Sequence, residues 1–458
     1  MNEPIGLTRA LVQRARALRY EDIPADILAW ARQCVLDMVG VAIAGADDPL
    51  VRILAAELGE AGGNAVAGVP GVALRLPATG AALLHGTMAH ALDYDDVNLA
   101  MPGHPSVAIL PAVMALAEER GSSGKDMITA FLAGYETACR VGSALSPGHY
   151  DVLGFHSTGT IGTFGAAMAC AHLLGLDEER SLHAMGIAAT QAAGLKSMFG
   201  TMCKPLHAGK AAEAGLLAAR LAARGFTARP DSIECSQGFA STHSPDFNPE
   251  KALADPEGGW HIRNNLFKYH AACYLTHAGI ETGRKLREQH GFQPADIAAI
   301  TLRIDQATDR VCNIQTPRTG LEAKFSLRLT AAMALAGVET GALATFEDAT
   351  TADPTLVGLR DQVVIDFQTG WPYTRAEMDI RLKDQTTLHA THDAGIPAAD
   401  VGNQGMRLVA KFMALVAPIL GASRAQALCD EIMAIDSAAN ISTATALWVP
   451  LPEALAAE

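Results

Sequence analysis

"AAITLRID", residues 298–305, puts Ile300, Leu302 and Ile304 on one face by strict alternation, the two-residue period of a half-buried strand. Upstream, from Leu7 to about Arg224, apolar residues recur instead at three and four, the helical period. The switch of period marks where a helical chain takes in a different kind of domain. "DQVVIDF" (361–367) and "AEMDIRLKD" (376–384) alternate in the same way, and "TTLHATH" (386–392) completes a hairpin with the latter. "AKFSLRLTAAMALAGV" (323–338) returns to the helical period between them. "GNQGMRLVAKFMALVAPIL" (402–420) and "SRAQALCDEIMAID" (423–436) then restore helix to the end. The predicted fold is mainly α: a large all-helical domain formed by both chain ends (1–262 and 403–458) and an inserted α+β lid domain (263–402).

The helical segments are punctuated as helices should be. Pro24 and Asp26 open one, and Pro105 opens "PSVAILPAVMALAEER", which stops at Gly121. "GKDMITAFLAGYETACRVGSAL", "TGTIGTFGAAMACAHLLG" and "DEERSLHAMGIAATQAAG" follow, many of them apolar nearly all round, as interior helices are.

A chain of 458 residues exceeds the size at which single cores stop growing, so two domains are expected. The net charge of -14 argues against a nucleic-acid binder, which needs basic surface. Eight scattered cysteines without a CxxC pair suit reduced thiols rather than a disulfide framework or a cluster. The N-terminal "MNEPIGLTRALVQRARALRYEDIP" is amphipathic and lacks the apolar core of a secretory signal. "VLDMVGVAIAG" (35–45) is too short to span a bilayer and contains Asp37. These readings place the protein in the cytoplasm, away from membranes.

Four stretches carry polar chemistry. "SMFGTMCKPLHAGKAAEAG" (197–215) fails as a phosphate loop: Lys204 stands where the first glycine is needed and Ala211 where the hydroxyl is needed. What remains is a glycine-bounded turn with Lys204 just ahead of a helix N-terminus, where anions are favoured, and His207 one turn in. "HGTMAHALDYDDVNLAMPGHPS" (85–106) fails as a calcium loop at Val97, Asn98 and His104, and His85 and His90 lack the HExxH spacing. It reads as a helix ending near Leu92 and a polar loop in which Asp93 orients a histidine and His104 faces a cavity. Asp95, Asp96 and Asn98 read as turn and capping residues. "SPGHYDVLGFHSTGTIG" (146–162) sets Tyr150 and His156 on a glycine-rich loop, with Ser157 or Thr158 as helix cap. "NNLFKYHAACYLTHAGIE" (264–281) gathers Lys268, Tyr269, His270, Cys273 and His277, with the last three on one helical face. Lysines and histidines with few unpaired acids suit a substrate bearing several carboxylates.

These stretches together resemble the MmgE/PrpD family. The resemblance rests on "HALDYDD" with "GHPS", on "GHY" and "FHSTGTIG", on "GTMCKPLHAGKAAEAG", on "FKYHAACYLTHA" and on "TPRTGLEAKFSL" (316–327), in order over nearly the whole chain. It implies a homodimer that needs no metal or organic cofactor, with a site lined by Asp93, His104, His156, Lys204, Lys268, Cys273 and His277. Tyr150 matches the tyrosine of the epimerase-like members. "FHST" departs from the "WHPT" of some members, and other polar residues replace Cys273 in some. The activity expected first is a cofactor-independent lyase of the dehydratase type, 2-methylcitrate dehydratase-like, acting on a small di- or tricarboxylate. Epimerisation of an iminodisuccinate-like dicarboxylate and decarboxylation of a cis-aconitate-like acid are the alternatives. A polycarboxylate-binding protein without turnover is the non-enzyme alternative. In this reading Asp93, His104, Tyr150, His156 and Lys204 are catalytic, and His207, Lys268, Tyr269, Cys273 and His277 bind substrate.

Overall fold

A computed structural model describes residues 6–449. They divide into two compact units, one of residues 6–267 with 399–449 and one of Lys268–Ala398.

As far as residue 223 the first unit runs through helices α1 (Leu7–Ala17), α2 (Ala25–Ala44), α3 (Pro49–Ala61), α4 (Ala78–Ala89), α5 (Pro105–Arg120), α6 (Gly124–Leu145), α7 (Ser157–Leu173), α8 (Glu178–Ala189) and α9 (Cys203–Ala223). Their ends follow local chemistry. Pro24 holds the cap position of α2, Pro105 opens α5, and Gly121 closes α5 in the left-handed conformation (φ 63°). Ser123 Oγ caps α6 by accepting the Asp126 N–H at 3.2 Å. The amphipathic N-terminal stretch forms α1, while its residues 1–5 lie outside the described residues.

Three local expectations are corrected. His156, not Ser157 or Thr158, holds the cap position of α7, and its side chain makes no cap bond. Lys204 lies within the first turn of α9 rather than ahead of it. A short antiparallel hairpin, β1 (Ala67–Val69) with β2 (Val72–Leu76), interrupts the helices around Pro70 and Gly71 (φ 72°). A Pro-Gly pair followed by alternation was its signal in the sequence.

Helices Val401–Leu420 and Ala422–Met433 return to pack on α2. The buried Lys411 ammonium fixes this return, donating to Asp37 Oδ1 at 2.6 Å and to the Tyr94 carbonyl at 2.8 Å. α2 is long and apolar enough by itself to cross a membrane. Burial rather than length decides its character, since 83% of its most apolar window lies inside the fold, as in a core helix.

Glycine and alanine set how closely these helices cross. A Cβ added at Gly134 of α6 would meet the Gly165 carbonyl of α7 at 2.3 Å. One at Gly209 of α9 would lie 2.2 Å from the Leu83 carbonyl and the Thr87 hydroxyl of α4. Backbones this close leave no room for larger side chains, which accounts for the scarcity of aromatics. Gly209→Ala should therefore destabilise the protein by about 1–3 kcal/mol, the usual cost of overpacking a core, measured as a lowered denaturant midpoint. An unchanged midpoint would show that α9 can shift away from α4 freely.

The second unit holds a four-stranded sheet of β3 (Ile297–Asp305), β4 (Val363–Gln368), β5 (Arg375–Leu382) and β6 (Thr387–Asp393), in the order β4-β3-β5-β6. β3 pairs parallel with β4 and antiparallel with β5, and β5 and β6 form the expected hairpin. Ile300, Leu302 and Ile304 are buried together with Met378 and Ile380 against helices Tyr274–His290 and Leu327–Ala336. Alternation in the sequence thus translates directly into one buried sheet face.

Candidate active site

The loop between α4 and α5 turns sharply where α4 ends. His90 caps the C-terminus of α4, and Asp93 takes a left-handed conformation (φ 50°), an uncommon one for a residue with a side chain. The turn sends Asp95 inward, where it is fully buried. Both Asp95 oxygens lie 3.0 Å from His90 Nδ1, which donates to them. Asp95 Oδ2 also lies 2.9 Å from His104 Nδ1, at ion-pair distance but without hydrogen-bond alignment. Burial pushes the Asp95 carboxyl up, but His104 and His90 outweigh it and hold the group well below the usual carboxylate range.

The carboxylate serving His104 Nδ1 is therefore Asp95, not Asp93. Asp93 accepts from the Lys204 ammonium at 2.7 Å and stands 3.8 Å from His104 Nε2. Asp96 and Asn98 are structural, as read from sequence. Asp96 accepts the Ser106 N–H in the first turn of α5 at 3.3 Å, and Asn98 donates to Tyr135 and to the His261 carbonyl.

A second loop brings two more imidazoles. His156 is aligned by a bridge between residues 154–156 and 194–196, its N–H donating to the Gly194 carbonyl at 3.0 Å. The His156 ring stacks on His90 with centroids 5.9 Å apart, and Phe199 meets it edge-on at 4.9 Å. His156 Nδ1 lies 3.0 Å from His207 Nδ1 on α9. Burial pushes both imidazoles down, so both are neutral, and one proton serves the two facing nitrogens. The donor of that pair then presents a bare Nε2, a base, and the acceptor presents Nε2–H, an acid.

Lys204 lies in the first turn of α9, where the helix dipole disfavours a cation and the backbone favours an anion. Its pair with the half-exposed Asp93 is worth at most about 1 kcal/mol. An incoming carboxylate can exchange with Asp93 at little cost. Gly209 and Lys210, the more conspicuous pair, take no part: Gly209 is the contact with α4, and Lys210 pairs with Glu213 on the surface.

His90, Asp93, Asp95 and His104 also offer ligand atoms within 4.8 Å of one another. A cation there would have to displace the ammonium already on Asp93, and the two carboxylates approach opposite nitrogens of His104.

The fold thus gathers Asp93, His104, His156, Lys204 and His207, and adds His90 and Asp95, whose roles sequence reasoning missed. No local signal separates Asp95 from a surface turn acid. Tyr150 lies in the turn Gly148–Val152, where the Lys196 ammonium sits 3.7 Å over its ring and donates to its carbonyl at 3.1 Å.

In the second unit, Lys268 is buried, and His270 is held by Thr340 at 2.7 Å and Glu281 at 3.1 Å. The helix begins only at Tyr274, with Cys273 as its cap. His270, Cys273 and His277 therefore do not share a helical face, contrary to the expectation from their three- and four-residue spacing. His277 Nε2 faces the Ala272 carbonyl at 3.2 Å, and its ring meets that of His270 at 5.0 Å.

Burial depresses His85 to about 3 and His90, His149 and His261 to about 4. It raises Asp96 and Glu136 to about 7. Unfolded histidines take up protons below about pH 6.5 that the folded ones refuse, so their contribution to stability is lost as pH falls through that window. Asp96 and Glu136 act in the opposite sense, since their folded forms bind protons up to about pH 7. The histidines outnumber them, so the melting temperature should fall from pH 7 to pH 5. A melting temperature that rises on acidification would show that the two acids dominate.

A mainly helical protein carrying a buried row of imidazoles beside an ammonium defines an acid–base site on a two-unit scaffold. Residues 9–252 match the MmgE/PrpD N-terminal domain and residues 270–436 the MmgE/PrpD C-terminal domain, and the chain belongs to the MmgE/PrpD family. It is 31% identical over 302 residues to cis-aconitate decarboxylase of Aspergillus terreus, covering 63% of this chain and 62% of that protein. It is 31% identical over 300 residues to the cis-aconitate decarboxylase-like protein oryM of Aspergillus oryzae, again covering 62% of each. Human cis-aconitate decarboxylase is 26% identical over 400 residues, covering 84% of this chain and 82% of that protein. The matched region thus spans under two thirds of the fungal relatives' length.

Proposed function

We propose that the protein is a cofactor-independent decarboxylase of a small unsaturated tricarboxylate of the cis-aconitate type. Its relatives' names favour this alternative over the dehydratase expected first. The observation that carries the reading is the Lys204 ammonium set beside a row of neutral and acid-held imidazoles. Lys204 leaves Asp93 to hold a substrate carboxylate. As the C–C bond to the departing carboxylate breaks and CO₂ leaves, the electron pair delocalises toward a remaining carboxylate, where the ammonium stabilises it. The Nε2–H of the His156–His207 pair then delivers a proton to carbon, with His104, whose Nδ1 faces Asp95, as the second candidate donor. Lys268, Tyr269, Cys273 and His277 remain the proposed substrate-binding set of the second unit, and Tyr150 remains a candidate acid. The eight cysteines, none of them in a disulfide, suit the reducing cytoplasm, and a homodimer belongs to the same reading.

The test is proton NMR in D₂O with EDTA, using cis-aconitate, citrate, 2-methylcitrate and iminodisuccinate. The expected result is loss of one carboxylate from cis-aconitate, with one deuterium entering the product. Dehydration of a hydroxy acid, or deuterium exchange with a retained skeleton, would replace the proposal by the dehydratase or the epimerase. Saturable binding without turnover would leave a binding protein. Turnover that disappears in EDTA and returns with a divalent cation would overturn cofactor independence.

A further inference from the structure

Cys273 and Cys312 stand 39 positions apart in sequence, yet their sulfurs lie 3.3 Å from each other. Cys312 is fully buried in the core of the sheet-bearing unit. Cys273 is partly exposed and holds the cap position of helix Tyr274–His290. The two sulfurs are within hydrogen-bond distance, and Cys273, the more exposed, is the one an oxidant reaches first, with Cys312 behind it to resolve the product. The Cys273 hydrogen bond and burial push the Cys312 thiol up, in keeping with that division. A disulfide needs its sulfurs about 2.05 Å apart, so the pair has little more than 1 Å to close. Exposed Cys203, by contrast, lies in the first turn of α9 in the other unit.

We propose that Cys273 and Cys312 form a reversible disulfide, making the start of this helix a modification site for hydroperoxides. The Cys273 sulfur attacks the outer peroxide oxygen, the O–O bond breaks, and the alcohol or water leaves with a proton. Cys273 is then a sulfenic acid. Cys312 gives up its proton as its sulfur attacks Cys273, the S–S bond forms, and the S–O oxygen leaves as water. Two thiols and one hydroperoxide thus yield a disulfide, an alcohol and water, and a dithiol reverses the step. The consequence for activity rests on the function proposed above. Oxidation removes the Cys273 thiol from the substrate-binding set and ties the start of the helix that carries His277 to the core.

The experiment treats the full chain with graded hydrogen peroxide, alkylates it under denaturing conditions and maps its peptides without reduction. The expected product is a Cys273–Cys312 cross-linked pair that dithiothreitol releases, with turnover falling in proportion to the cross-linked fraction and returning on reduction. Separate recovery of the two cysteines at peroxide doses that oxidise Cys203 would overturn the proposal. In Cys312→Ala the Cys273 sulfur should pass on to sulfinic acid, and dithiothreitol should no longer restore it; full restoration would overturn the resolving role of Cys312. The peptide map does not depend on turnover. A cross-link that leaves turnover unchanged confirms the modification site and removes Cys273 from the substrate-binding set.

Discussion

Lys204→Met is expected to lower kcat by about 10²–10³-fold, the range found when one fixed stabiliser of developing negative charge is removed. The loss should fall on kcat more than on KM, because the charge develops as CO₂ departs. The fold should hardly notice. Asp93, its partner, is half-exposed, and such a pair contributes at most about 1 kcal/mol. Lys204→Arg should recover only part of the rate, since a planar guanidinium cannot take the place of a compact ammonium between Asp93 and Phe199. The competing reading, a solvated lysine at a helix start, predicts full activity for Lys204→Met. Circular dichroism and turnover on the same preparation separate the two.

Asp95→Asn should cost about 10²–10⁴-fold in kcat/KM, the span associated with a general acid or base and with the carboxylate that sets its tautomer. The side chain keeps its shape but loses the charge that accepts from His90 Nδ1 and faces His104 Nδ1. An amide must donate to one imidazole if it accepts from the other, so at least one ring takes the wrong tautomer. The loss of the anion also makes imidazolium less favourable in the row. The acidic limb of the pH–rate profile should therefore move to lower pH. A purely structural role for Asp95 would reduce the amount of active enzyme and leave the profile where it was.

The contrast between Asp93 and Asp95 shows where legibility ended. "HALDYDD" (90–96) offers one histidine and three aspartates within seven positions, and nothing local says which acid is buried. The choice is made by the left-handed turn at Asp93 and by α4 and α5 closing over the next residues, so the acid two positions on goes inside. His85 gives His90 no partner at helical spacing; its partners are Asp95, five positions on in the same loop, and His156 at the cap of α7. Lys204 and His207 were legible, because a lysine and a proline between glycines announce a helix start. That His207 would share a proton with His156, 51 positions away, was not.

The sequence by itself determined the helices, their capping prolines and glycines, and the alternating strands of the second unit. These follow from residue periodicity and backbone preference, which act over a few positions. Only the tertiary structure decided that "AAITLRID" would lie between a parallel neighbour and an antiparallel one, and that Asp95 would be the buried anion. It also decided that Cys273 would meet Cys312. The strand pairing and the cysteine pair are meetings of groups far apart along the chain, and the burial of Asp95 depends on how α4 and α5 close over its loop; packing sets all three.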